Sequence, residues 1–221
     1  MYSVLFRNFP NALTCCNLIS GCIAVKFALE GNPRLAFLFI IIGAVFDFFD
    51  GFAARKLKVS SPIGKELDSL ADVITFGLAP SAMVFDMLRI SAVPESMLGA
   101  AEIYPYTAFV MAAFSALRLA KFNLDSRQTT SFIGLPTPAN ALFWASLVTG
   151  AHDWLVSSNF HPVYLLLLVC LFSWLLVSEI PMFSLKFKNL SWKDNKTSFI
   201  FLLVCIPFLI FLGICSFSAI I

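Results

Sequence analysis

Four aspartates stand where an apolar chain has least room for them. Asp47 and Asp50 lie in "DFFDGFAAR", residues 47–55, at the end of a long hydrophobic run, and Asp68 and Asp72 follow in "KELDSLAD". The first pair is spaced i, i+3 and the second i, i+4, so each pair projects from one face of its own helix. The intervening "KLKVSSPIG" reads as a short turn that folds the two helices antiparallel and brings the four carboxylates together. An ionised Asp at the bilayer centre costs about 2.5–3.5 kcal/mol on insertion scales, less toward the interface. Four packed together also repel one another unless cations neutralise them. Hard divalent metals bound by carboxylate oxygens answer both problems, and two such ions over four aspartates suit phosphoryl transfer. Small neighbours Gly51, Ala53, Ala54, Gly64 and Ala71 let a flat group or a phosphate approach the backbone, and Arg55 can pair with phosphate or with a carboxylate.

The rest of the chain is built to hold such a cluster in lipid. Hydrophobic residues make up 59% of the 221 and charged residues 13%, against about 25% charged in a soluble domain. A bilayer core takes about 20 apolar residues per helix, and seven stretches qualify: 10–29, 34–57, 64–89, 102–121, 136–153, 161–183 and 197–220. Gly, Pro and Asn clusters separate them, among them "EGNPR", "SSPIG", "SAVPES" and "GLPTP". The expected fold is therefore all-α: one polytopic bundle of about six or seven transmembrane helices over residues 1–221, with a metal-lined cavity open to the cytoplasm. "MYSVLFRNFP" lacks the marks of a cleaved leader and is expected to lie along the interface before the first span.

Orientation follows from Lys and Arg. With the N-terminus cytoplasmic, twelve lie inside (Arg7, Arg55, Lys56, Lys58, Lys65, Arg118, Lys121, Arg127, Lys186, Lys188, Lys193, Lys196) and three outside (Lys26, Arg34, Arg89), which accounts for all fifteen. The aspartates, "ALRLAKFN" and "GLPTP" then share the cytoplasmic face, the C-terminus lies outside, and His152 and His161 fall on the far face, away from the chemistry. A net charge of +2 gives no argument for nucleic acid. The six cysteines sit in apolar stretches without metal-ligand spacing and read as packing residues. Phe48, Phe49 and Phe52, interleaved with the aspartates, read as the lipid-facing side of their helix.

Asp47 to Arg55, eight residues, Gly64, three residues, Asp68, three residues and Asp72 resembles without gaps the signature of the CDP-alcohol phosphotransferases. The resemblance implies an enzyme that moves the phosphorus-bearing group of a CDP-linked alcohol or lipid to an acceptor hydroxyl and releases CMP. It implies two divalent ions, magnesium or manganese, on Asp47, Asp50, Asp68 and Asp72, with Asp72 also the general base. It further implies a pocket for the CDP-lipid made by Gly51, Ala54, Arg55, Gly64 and Asp68, with Thr14 and Asn17 of "PNALTCCN" reaching the diphosphate. A homodimer is implied by the same likeness.

"LDSLADVITFGLAPS", "ALRLAKFN" and "FIGLPTPANA" are similar to the small multispanning members whose donor is CDP-diacylglycerol and whose acceptor is L-serine. Serine carries a carboxylate and an ammonium beside its hydroxyl, so Arg118 and Lys121 are the expected cations, and Asn123 or Thr137 the groups that orient the amine. Acceptors such as glycerol phosphate or inositol phosphate are the alternative within the family. From another class, intramembrane acids also mark proton or metal-ion paths in transporters, but that reading leaves Gly51, Ala54, Arg55 and Gly64 unexplained. Arg127 is expected at the interface, and Lys186, Lys188, Lys193 and Lys196 opposite anionic headgroups.

Overall fold

A computed structural model describes residues 2–59, 61–93, 95–124 and 132–182. The described residues are helical apart from turns and one two-residue ladder. Helix α1 runs over Tyr2–Leu29 and α2 over Pro33–Leu57. Between them Gly31 takes φ +72°, Asn32 caps the Leu35 N–H through its side chain at 3.2 Å, and Pro33 opens the new helix. These are the start signals that the "EGNPR" breaker promised. The second turn is built alike: α2 closes on Lys58 in the left-handed region, and Ser61 accepts from the Gly64 N–H at 3.0 Å to start α3, Pro62–Asp72.

From Asp72 the backbone widens into a π-helical segment, Val73–Leu78, before resuming as α4, Ala79–Ile90. Pro80 offers no N–H and its ring crowds the carbonyl four residues back, and a wider turn relieves that conflict without ending the helix. The segment sits where α1, α5 and α6 meet. Thr75 is fully buried and donates its hydroxyl to the Asn17 carbonyl of α1 at 3.1 Å.

Among the described residues, three helices are long and apolar enough to cross a membrane, over Asn8–Leu29, Pro33–Leu57 and Pro62–Ile90. The third is 67% buried inside the protein over its apolar window, against 33% and 28% for the others, so α3 and α4 form the centre while α1 and α2 keep faces for lipid. Phe48, Phe49 and Phe52 lie on such a face, 63%, 49% and 47% exposed. The chain is an integral membrane protein.

Four differences from the sequence reading have local causes. The first residues do not form a separate interfacial element: the helix runs through Pro10 into the span, at the cost of one main-chain bond. The fourth stretch begins as a 3-10 turn over Tyr104–Phe109, seeded by Pro105, and becomes α5 only at Val110–Leu124. The fifth is 14 residues, α6 over Thr137–Gly150, followed by a break and the short α7, His152–Val156. The sixth is the 15-residue α8, Val163–Val177. At 1.5 Å per residue α6 and α8 reach about 21–23 Å, short of a 30 Å hydrocarbon core. The seventh stretch, 197–220, lies outside the described residues, as do Arg127, Lys186, Lys188, Lys193 and Lys196.

The end of α8 turns back on the "IGLP" loop. Strand β1, Phe132–Ile133, pairs antiparallel with β2, Pro181–Met182. Gly134 N–H donates to the Ile180 carbonyl and Leu135 N–H to the Leu175 carbonyl, both at 2.9 Å. Gly134 has φ +74°, and a Cβ there lies 2.7 Å from the Leu176 carbonyl oxygen. Gly134→Ala is expected to destabilise the protein by about 1–3 kcal/mol. Thermal unfolding in detergent checks it against Gly99→Ala, where nothing lies within 4 Å of the added carbon.

Candidate active site

Asp47 and Asp50 come from the last three turns of α2, and Asp68 and Asp72 from α3. Helix α1 packs against both α2 and α3, and one carboxylate oxygen from each of Asp47, Asp50 and Asp68 lies within 4.8 Å of the others. Asp50 is buried, Asp47 and Asp68 half-buried, and Asp68 Oδ1 has no hydrogen-bond partner. Three hard oxygen donors converging this closely, with a buried lone pair unused, form a donor set that fits a divalent cation. Asp72 stands one turn past Asp68, buried, within electrostatic reach of the other three but outside the tight trio.

Helix α1 supplies the polar lining opposite. Thr14 Oγ1 lies 2.7 Å from Asp50 Oδ2 and 3.1 Å from the Pro10 carbonyl, so its single proton chooses between a carboxylate and its own helix. The Asn17 amide nitrogen donates to Asp72 Oδ1 at 3.1 Å. Thr14 and Asn17, one turn apart, thus each hold one aspartate, and both are buried. Close approach of these helices depends on missing side chains. A Cβ on Gly21 lies 2.9 Å from the Thr75 Cα, and one on Gly43 lies 3.0 Å from Asn17 Oδ1.

A cavity of about 440 Å³ opens beside the carboxylates, lined by Thr14, Asp50, Gly51, Ala54, Gly64 and Asp68 and by Asn8, Asn11, Ser61 and Lys65. The first six are sequence-predicted site residues and share one wall system. Asn8, Asn11 and Lys65 were not foreseen; the signal was a polar rim at the interface end of an otherwise apolar helix. Gly64 is required here, since a Cβ meets Asn11 Oδ1 at 2.9 Å and Ser61 Oγ at 3.0 Å. Arg55 is exposed, with its guanidinium folded over Gly51, whose absent Cβ leaves it 3.3 Å of clearance. On the lipid side of the same two helices lies an apolar groove of about 630 Å³ walled by Phe9, Leu13, Phe46, Phe49, Phe52 and Ala53.

The expected acceptor residues divide into two groups. Arg118 is buried within electrostatic reach of Asp72, its guanidinium over the Phe122 ring at 5.3 Å. Thr137 is buried at the start of α6. Lys121, by contrast, is exposed. Asn123 is engaged elsewhere: its amide donates to Ser69 Oγ at 2.8 Å and its carbonyl accepts from Lys65 Nζ at 2.9 Å, which ties α5 to α3. None of the four lines the 440 Å³ cavity. His152 lies in a pocket with Asn32 and Pro33, and Asp50 is seventeen residues, about 25 Å of helix, from Pro33. That distance keeps His152 out of the site.

The chain matches known proteins over most of its length. It is 37% identical over 171 residues to a Bacillus subtilis protein named CDP-diacylglycerol–serine O-phosphatidyltransferase, covering 77% of this chain and 87% of that one. Proteins of the same name from Mycobacterium leprae and Methanocaldococcus jannaschii are 34% and 32% identical. Those matches cover 81% and 66% of this chain, and 59% and 63% of the relatives. The family model described as CDP-alcohol phosphatidyltransferase matches residues 7–185, a range that holds all four aspartates and both helices that carry them, and the chain belongs to that family.

Proposed function

We propose that this protein transfers the phosphatidyl group of CDP-diacylglycerol to the hydroxyl of L-serine, giving phosphatidylserine and CMP. The observation that carries the reading is the convergence of Asp47, Asp50 and Asp68 within 4.8 Å, with Asp50 and Asp68 on the wall of a cavity of about 440 Å³. The names of the relatives support the donor and the acceptor. Asp47, Asp50, Asp68 and Asp72 would hold two divalent ions. When bound, such ions neutralise the diphosphate and the charge that develops on the departing CMP.

The chain's own residues do the rest. Thr14 and Asn17 fix the carboxylates of Asp50 and Asp72, so the site is organised before substrate arrives. Gly51, Ala54 and Gly64 leave room for the cytidine and the diphosphate against the backbone, and Lys65 on the cavity wall offers a cation to the phosphate. The apolar groove across α1 and α2 takes the acyl chains, so the donor enters sideways without leaving the bilayer. Asp72 accepts the proton of the serine hydroxyl as its oxygen attacks the phosphorus bearing diacylglycerol. The new bond joins serine oxygen to that phosphorus, the bond from the phosphorus to the bridging oxygen breaks, and CMP leaves with the electron pair. The excess of Lys and Arg on one side supports a site that opens to the cytoplasmic face.

Purified protein in detergent, given CDP-diacylglycerol and magnesium or manganese, is expected to release CMP only when L-serine is added, with one phosphatidylserine formed per CMP. Chelation should stop it and either ion restore it. Release driven by glycerol phosphate or inositol phosphate in place of serine refutes the acceptor and keeps the family. Liposome cation flux with no CMP from any acceptor refutes the reading as a whole.

A further inference from the structure

Among the described residues, nine buried side-chain nitrogen and oxygen atoms have no hydrogen-bond partner. Two of them, Asn17 Oδ1 and Asp68 Oδ1, belong to the aspartate site. The others all lie on α5, α6 and α8: Arg118 Nε and Nη2, Thr137 Oγ1, both ends of the Asn140 amide, Trp144 Nε1 and Ser173 Oγ. Buried polar atoms are ordinarily paired, because leaving them unpaired costs their full desolvation. A group of them on three adjoining helices, every member at least nine-tenths buried, points to recognition of a polar ligand.

Position links this group to the chemistry. Thr137, Asn140 and Trp144 are spaced three and four apart on one face of α6. The π segment that follows Asp72 packs against both α5 and α6, and Ser115, one turn before Arg118, lies 3.1 Å from where a Gly77 Cβ would be. Arg118 in turn is within electrostatic reach of Asp72. Asn140 is fully buried, and neither its donor end nor its acceptor end is used. A carboxamide presents a donor and an acceptor side by side, which matches a zwitterion whose carboxylate and ammonium sit on one carbon.

We propose that Asn140 determines specificity for the acceptor, its Oδ1 accepting from the α-ammonium of an amino acid while its Nδ2 and Arg118 donate to the α-carboxylate. This rests on the serine-transfer reading and adds to it a residue and a basis for discrimination. Thr137 supplies a second acceptor for the ammonium.

Steady-state kinetics of the full chain with L-serine, ethanolamine (no carboxylate) and glycerate (no ammonium) tests it. Wild type should prefer serine strongly over both. Asn140→Ala should raise the KM for serine by about tenfold or more, with kcat, the KM for CDP-diacylglycerol and the melting temperature nearly unchanged. Asn140→Asp keeps an acceptor for the ammonium but sets a negative charge against the carboxylate, so serine use should fall while ethanolamine use relative to serine rises. An unchanged serine KM in Asn140→Ala overturns the proposal, as does a parallel loss for donor and acceptor with a lowered melting temperature, the mark of a packing role. If Asn140→Ala fails to fold, an unchanged serine-to-ethanolamine ratio in the isosteric Asn140→Asp overturns it. A wild type that ignores serine removes the parent reading first, before any Asn140 variant is compared.

Discussion

Asp68→Asn should lower serine-dependent CMP release by at least about 10²–10³-fold, the scale on which loss of one preorganised electrostatic group in an enzyme site is felt, while leaving the protein folded in the membrane. Asp68 is half-buried, one of its oxygens has no partner in the protein, and the other two carboxylates of the trio lie within 4.8 Å. The amide keeps the shape and removes the charge, so packing is preserved and the cation ligand weakened. The sign of the stability change then depends on metal. Without metal, Asp47, Asp50 and Asp68 repel one another, and removing one charge relieves that repulsion, so in chelator Asp68→Asn should melt at a higher temperature than wild type. With saturating metal, wild type gains stability in proportion to the logarithm of metal concentration over its dissociation constant, and the variant should gain much less. Melting curves in detergent with chelator and with magnesium would therefore cross in order. A variant that melts below wild type in chelator, or that gains as much from metal, refutes the ligand role; full activity refutes it outright.

The sequence makes the cluster readable because each part of it is local. Two aspartates three apart and two aspartates four apart each define a helix face, and "EGNPR" and "SSPIG" carry the capping residues Asn32 and Ser61 that end one helix and start the next. Thr14 and Asn17 stand one turn apart, and the structure gives each an aspartate partner at 2.7 and 3.1 Å. Less was readable wherever the cause lies far along the chain. The π segment at Val73–Leu78 reflects Pro80 within its own helix together with Thr75 reaching across to α1, a partner that the local sequence does not show. Asn123 looked like a free polar group beside two cations, and it is engaged by Ser69, more than fifty residues earlier. The end of α8 had no visible role as a hydrophobic sequence, yet its carbonyls and the strand after it hold Gly134 and Leu135 and so fix where α6 begins.

Gly43→Ala should cost activity far out of proportion to one methyl group. Gly43 stands one turn before Asp47, and "IIIGAVF" gives no sign that it matters. In the fold its added Cβ lies 2.5 Å from Thr75 Cγ2 and 3.0 Å from Asn17 Oδ1. Neither neighbour can yield freely. Thr75 is fully buried with its hydroxyl bonded to the Asn17 carbonyl, and the Asn17 amide is bonded to Asp72. Overpacking of this kind costs about 1–3 kcal/mol, and relief by moving Asn17 shifts the very group that orients Asp72. A misplacement of about 1 Å in a catalytic group can cost 10²-fold, so kcat is expected to fall by about that factor while the KM for CDP-diacylglycerol changes little. The second substitution Thr75→Ser removes the colliding methyl and keeps the hydroxyl. In the double variant most of the stability and activity should return, giving a coupling energy well above the few tenths of a kcal/mol seen between independent sites. Additive effects of the two substitutions would show that Gly43 does not act through Thr75, and an unaffected kcat in Gly43→Ala would show that the position of Asn17 does not govern Asp72.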